Sequence, residues 1–360
     1  MIFRKKWLSA VAAWSALVAA PVAAEEWDNP SERYLDAYKA YTDASCPIGA
    51  DDMRHFVYFA RDREALRGHA LLTSKRFDGA QVMYTWRELE PRQGSYDFSS
   101  VREDVDYLAA HGKKLFLQLQ DASFSPKNQP VPEYLLSPAY DGGATHQYDD
   151  DGEIEGWVAK RWRAEVRARF AALLEALGNE FDGEIEGINL QESAIGVSQE
   201  SDPGFTPELY AEGLMADMRT LKSAFPHSTT MQYANFMPGE WLPWEDEGYL
   251  RGLYELGEEL GVGLGAPDLM PQRKGQLNHA LAMMHENAFT APLGIAIQDG
   301  NYIGETNTDE RLAYHKNLVP MLHAFAADFL HVKYMFWVDQ EPYFDEDVLP
   351  CLDTGFQGNP

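Results

Sequence analysis

Acidic residues stand where short apolar runs give way to polar chain. Asp121, Glu192, Asp268 and Asp299 each close such a run, and Asp339 and Glu341 follow the last one. Two carboxyl groups placed across an acetal C–O bond suffice to break it. One protonates the leaving oxygen, and the other attacks carbon or activates water. That chemistry requires no metal and no cofactor. Asp at the end of a run is also ordinary turn chemistry, because its side chain caps nearby backbone. Asp121 and Asp268 fit loop caps or arginine partners equally well. Glu192 differs: Glu is a poor turn former, and here it follows a strongly apolar run between Gln191 and Ser193. Glu192 is therefore the leading acid/base candidate.

The runs that would position these acids recur along the chain. They are 54–60, the least regular of the set, then 79–86, 114–121, 185–192, 229–235, 262–268, 293–299 and 333–339. Helical periodicity fills the intervals at 101–111, 160–177, 207–225, 276–287 and 309–327. Gly112 and Gly178 read as stops, and Thr206–Pro207 as a cap followed by a first-turn proline. Strands alternating with helices imply parallel strands joined by crossovers. Eight of them fit a closed (β/α)8 TIM barrel, of class α/β, in one domain. A doubly wound sheet would carry a glycine-rich phosphate turn after an early strand, and none is present. In a barrel the active face lies at the C-terminal strand ends, where the acids fall.

The same ends carry rings and amides. Trp86 and Trp337 offer flat apolar faces on which a sugar ring stacks. Gln120, Gln191, Asn235 and Gln298 offer partners for hydroxyls, and Asp121 and Asp268 are further substrate-contact candidates. The Pro- and Gly-rich stretch from Ser123 to Gly156 follows the third strand on that face, and a loop of this length predicts one wall of the cleft.

Residues 81–91, Gln-Val-Met-Tyr-Thr-Trp-Arg-Glu-Leu-Glu-Pro, followed by Gly94-Ser95-Tyr96-Asp97-Phe98, resemble the strand-two signature of clan A glycoside hydrolases, the β-galactosidase-like and cellulase-like enzymes. Gln191-Glu192 is similar to the Asn-Glu that carries the acid/base there, and Phe336-Trp337 to the strand-eight Trp at the floor of the sugar site. The resemblance implies a glycosidase with a carbohydrate substrate. Glu88 and Glu90, although in the signature, read as structural groups that fix the strand-two loop. Two departures matter. Gln191 replaces the Asn, and the strand-seven nucleophile position reads Gln298-Asp299-Gly300 instead of Glu. Asp299 is then a shorter nucleophile. Otherwise the enzyme inverts, with a more distant base such as Asp121, Asp268 or Asp339. Glu305 is a further candidate, and a barrel that binds glycans without cleaving them is the main rival reading.

The ends and the charge bound the setting. Arg4, Lys5 and Lys6 precede an apolar run to Ala20 and a small-residue site at Ala23-Ala24, the pattern of a cleaved signal peptide over 1–24. An N-terminal extension, 25–50, then precedes a barrel over 51–360. A periplasmic or secreted protein is expected. Net charge is −27, and nearer −30 without the basic leader, which argues against nucleic acid and anionic membrane partners. Nothing demands a second subunit, so a monomer is expected. Cys46 and Cys351 lie near opposite ends of the chain, and barrel closure brings such ends together, predicting a disulfide. His55, His146, His279, His285 and His331 do not gather at strand ends, and neither Cys has metal-ligand spacing, so no metal site is expected. Residues 148–153 invite a calcium reading, but the spacing fails a twelve-residue loop, and a solvated turn fits better.

Overall fold

The computed structural model describes residues 34–241, 245–277, 279–304 and 317–353. The signal peptide expected over 1–24 and the candidate Glu305 lie outside the described residues. All eight expected runs form strands: β1 (Arg54–Tyr58), β2 (Gly79–Thr85), β3 (Lys114–Gln120), β7 (Gly187–Leu190), β8 (Thr229–Tyr233), β9 (Gly263–Ala266), β10 (Leu293–Ile297) and β11 (Tyr334–Val338). They pair in parallel in that order, and β11 pairs with β1, Tyr58 opposite Val338, to close the barrel. Three short strands, β4 (Ala122–Ser123), β5 (Ala144–Tyr148) and β6 (Ile154–Ala159), form a separate antiparallel sheet inside the connection after β3.

Alternation along each strand decides what faces the lumen. Gln81 on β2 donates to Asn189 Oδ1 on β7 and to the Tyr233 hydroxyl on β8, both at 3.0 Å. Strands that are not neighbours meet this way only through the interior. Below this polar layer the rings of Phe56, Phe116 and Phe336 pack together, with centroids 4.9–5.8 Å apart. Gly187 makes room for them: a Cβ there would stand 2.8 Å from the Phe116 ring.

The outer layer comprises α1 (Trp86–Leu89), α2 (Ser99–Ala110), α3 (Ala164–Phe181), α4 (Pro207–Ala224), α5 (Tyr249–Leu260), α6 (Lys274–Leu277), α7 (Ala280–Glu286), α8 (Val319–Asp328) and α9 (Leu349–Leu352). Thr206 caps α4 as expected, its Oγ1 accepting the Leu209 N–H at 3.2 Å. Gly178 does not end α3, which runs on to Phe181. Its lack of a side chain serves packing instead, since a Cβ there would lie 2.1 Å from the Ala224 carbonyl oxygen of α4. Helix α3 also starts at Ala164 rather than at 160, because Arg161 is pulled inward. The expected bridge between Cys46 and Cys351 is present, with Cα atoms 4.8 Å apart. No described helix is long and apolar enough to cross a membrane.

Candidate active site

Glu192 stands two residues beyond β7, at the C-terminal mouth of the barrel. Its Oε2 accepts the Asn235 amide at 2.7 Å. Asn235 is itself held, since its N–H donates to Ser193 Oγ at 3.2 Å, and that hydroxyl donates to the Phe236 carbonyl at 2.7 Å. The ends of β7 and β8 thus fix the carboxylate from one side. The residue keeps part of its surface open, but dense protein surrounds the carboxyl group. That burial, reinforced by the charges of Asp268 and Glu155, pushes Glu192 up to about 8 against the opposing pull of Asn235 and Arg161. It is therefore protonated at neutral pH.

Asp268, two residues past β9, is the carboxyl group whose charge raises Glu192 most. Burial pushes it up to about 6, opposed by its bond from Asn301 and by the charge of Arg273. Asn301 Nδ2 donates to Asp268 Oδ1 at 3.2 Å, while its Oδ1 accepts the N–H groups of Leu269 and Gln298. One amide thereby ties together the ends of β9 and β10. Asp299 is an exposed turn residue on the rim. Its charge and that of Glu192 both reach the buried phenol of Tyr58 at the end of β1.

The other candidates separate into groups. Gln120 is buried, and its Oε1 accepts Arg61 Nε at 2.9 Å. Gln191 is buried, with its Oε1 unpartnered among the described residues, and Gln298 is half-buried beside Asp299. These amides surround the mouth. Three expectations meet a different geometry. Trp86 points away from the lumen: it is fully buried, packs on Phe170 of α3 at 5.1 Å and donates to Glu90 Oε2 at 2.8 Å. Trp337 also faces outward, donating to His55 Nδ1 at 3.2 Å, because alternation on β11 turns Phe336 inward and Trp337 outward. Asp121 is buried in a two-pronged bond with Arg161, at 2.7 and 2.5 Å, which leaves it no free face for a sugar. Glu90 has the structural role read for it, accepting Trp86, Tyr134, Arg169 and the Gly94 N–H.

Sequence reasoning passed over Arg161. This buried guanidinium, just past β6, also donates to the Tyr210 hydroxyl at 2.8 Å and the Glu192 carbonyl at 3.4 Å. Tyr210 in turn donates to the Ser193 carbonyl at 3.0 Å. Arg161 thus joins β3, the base of the hairpin, α4 and the backbone of the acid into one buried unit. Arg61 was passed over too. It follows Ala60, whose φ of +47° is strained for a residue with a Cβ.

One His/Asp cluster lies outside the barrel wall: Asp51, His55 and His323, with ligand atoms within 4.8 Å of one another. Its donors are already matched. Trp337 N–H fixes His55 Nδ1 as an acceptor, so His55 Nε2 carries the proton that faces Asp51 at 3.1 Å. Asp51 also takes Arg76 at 2.8 Å. Binding a cation through His55 Nε2 would set two N–H donors against each other at Trp337.

No family model matches the chain, and no curated protein matches it in sequence. Among solved structures it is similar to the catalytic domain of a β-amylase from Paenibacillus polymyxa, with a TM-score of 0.53 and 9% identity over 81% of this chain and 93% of that one. It is also similar to GH5_18 from Bifidobacterium longum subsp. longum, with a TM-score of 0.50 and 13% identity over 80% of this chain and 70% of that one. These likenesses show the fold, a closed (β/α)8 barrel shared with both proteins. Across that barrel, the mouth holds two carboxyl groups whose proton affinities are pushed apart.

Proposed function

We propose that this protein is a glycosidase in which Glu192 is the general acid and Asp268 its ionised partner. The observation that carries the reading is the pair itself. The two residues stand two positions beyond β7 and β9 on the face where barrel enzymes place their chemistry, and each senses a low-dielectric surrounding. Their different proton affinities divide the labour: near neutral pH Glu192 holds a proton to give and Asp268 is largely ionised. Asp268 is preferred to Asp299 as partner because its charge is the largest acidic contribution at Glu192, whereas Asp299 is an exposed turn residue. Gln120, Gln191, Asn235 and Gln298 would bind sugar hydroxyls. The bridged cysteines support export to an oxidising compartment, periplasmic or extracellular.

Wild type, Glu192→Gln, Asp268→Asn and Asp299→Asn should be assayed on oligosaccharide and aryl-glycoside panels, with product anomers followed by NMR. Loss of hydrolysis in the first two but not the third is expected. The wild-type rate should follow a bell with limbs near 6 and 8, the values of the pair. Full activity of Glu192→Gln would refute the reading. Binding of glycans with no cleavage by wild type would favour a binding barrel.

A further inference from the structure

We propose that the cleft beside Glu192, between the β5–β6 hairpin and the 194–201 segment, is a glycan subsite selective for amine-bearing sugars. The proposal rests on the glycosidase reading of Glu192 and names the substrate class of that site. The cleft encloses about 780 Å3, within the roughly 300–1,000 Å3 of small-ligand sites. It begins at Ala194, two residues from Glu192, so a chain spanning the scissile bond would run into it.

Two kinds of group line it. Phe124 and Trp241 are 43% and 41% exposed. They are two of the five large apolar side chains left open among the described residues. Exposed rings in a cleft present flat faces to the C–H face of a sugar. Around them stand Asp149, Asp150, Glu155 and Glu200, and no lysine or arginine lines the cleft among the described residues. Burial together with the charges of Asp149 and Asp150 pushes Glu155 up, so the carboxylates of this wall repel one another.

Charge complementarity then selects the occupant. A uronate polymer would add anions to an anionic wall. A neutral glycan would use the rings alone. A sugar bearing protonated amines would use the rings and relieve the carboxylates. The carboxylates sit in a partly open cleft, so each pair is screened and the preference is a moderate one.

The test uses Glu192→Gln protein, which should bind without cleaving, and calorimetric titration with a glucosamine hexamer, its N-acetylated counterpart and a cello-hexaose. The glucosamine hexamer should bind about tenfold tighter than the other two, the scale of a few screened ion pairs. The margin should vanish at about 1 M salt, where the Debye length is near 3 Å. It should also vanish when Glu155→Gln and Glu200→Gln are added, while Trp241→Ala should weaken all three ligands. Circular dichroism and melting confirm that each variant is folded, and Trp241→Ala, at an exposed position, keeps the test decisive if the Gln pair fails to fold. Equal affinities, no binding at all, or a margin that survives the Gln pair would overturn the proposal. Wild-type hydrolysis is scored separately: a glucosamine preference without cleavage would leave the subsite standing and remove the glycosidase reading.

Discussion

Glu192→Gln tests the buried acid without any substrate. In the unfolded chain a glutamate titrates near 4.5, whereas in the fold Glu192 titrates at about 8. Between those values the native state binds a proton that the unfolded state has released, so stability falls as pH rises through this window. Below about 4.5 both states are protonated and the effect is absent. Above 8 the native state carries a buried anion. One pH unit is about 1.36 kcal/mol. The shift from 4.5 to about 8 thus corresponds to about 5 kcal/mol, of which we expect about 2–3 kcal/mol to survive solvent access through the open cleft. Gln is neutral, nearly isosteric, and still accepts the Asn235 amide. Urea unfolding of wild type and variant at pH 4.5 and pH 9 reads the difference. The two should be nearly equal in acid, and the variant more stable by about 2–3 kcal/mol in base. A constant offset at both pH values would show that Glu192 is not held protonated and would remove its role as acid.

Arg161→Met should cost about 3–5 kcal/mol by stranding the buried Asp121 carboxylate. Tyr210→Phe should cost about 1 kcal/mol and lower kcat with KM little changed, because it frees the Ser193 carbonyl and not a sugar contact; unchanged kcat would show that the clamp does not position Glu192. Arg161 also holds Glu192 down, so Arg161→Met paired with Asp121→Asn should move the basic limb of the pH–rate profile upward. Gly178→Ala should lower the melting temperature despite alanine's better helix propensity of about 1 kcal/mol, because its Cβ would meet the Ala224 carbonyl. A raised melting temperature would show that α3 and α4 separate readily.

The barrel was legible in the chain because its signals are local. Each strand is a short apolar run, each crossover carries helical spacing, and the order of the two dictates parallel pairing. The position of Glu192 at the barrel mouth was legible for the same reason, because it closes one of those apolar runs. The acidic turn at 149–153 behaves as read, with Asp149 Oδ1 accepting the N–H groups of Asp151 and Glu153. The stretch from Ser123 to Gly156 lines one side of the pocket opposite 194–201, and its folding into β4–β6 was not foreseen. Trp86 and Trp337 sit beside polar residues in sequence, yet each turns away from the lumen. For Trp337, one step of strand alternation decided between the sugar floor and the helix layer.

Composition and spacing alone determined a (β/α)8 barrel with acids at its mouth. Tertiary structure decided which acids are desolvated and whose charge reaches Glu192. Asp121 and Asp268 look alike in sequence, but Arg161, forty residues further on, neutralises the first. Asn301 anchors the second, whose charge reaches Glu192. A carboxylate's proton affinity depends on the dielectric and the charges within a few ångströms of it, and chain order does not encode those distances.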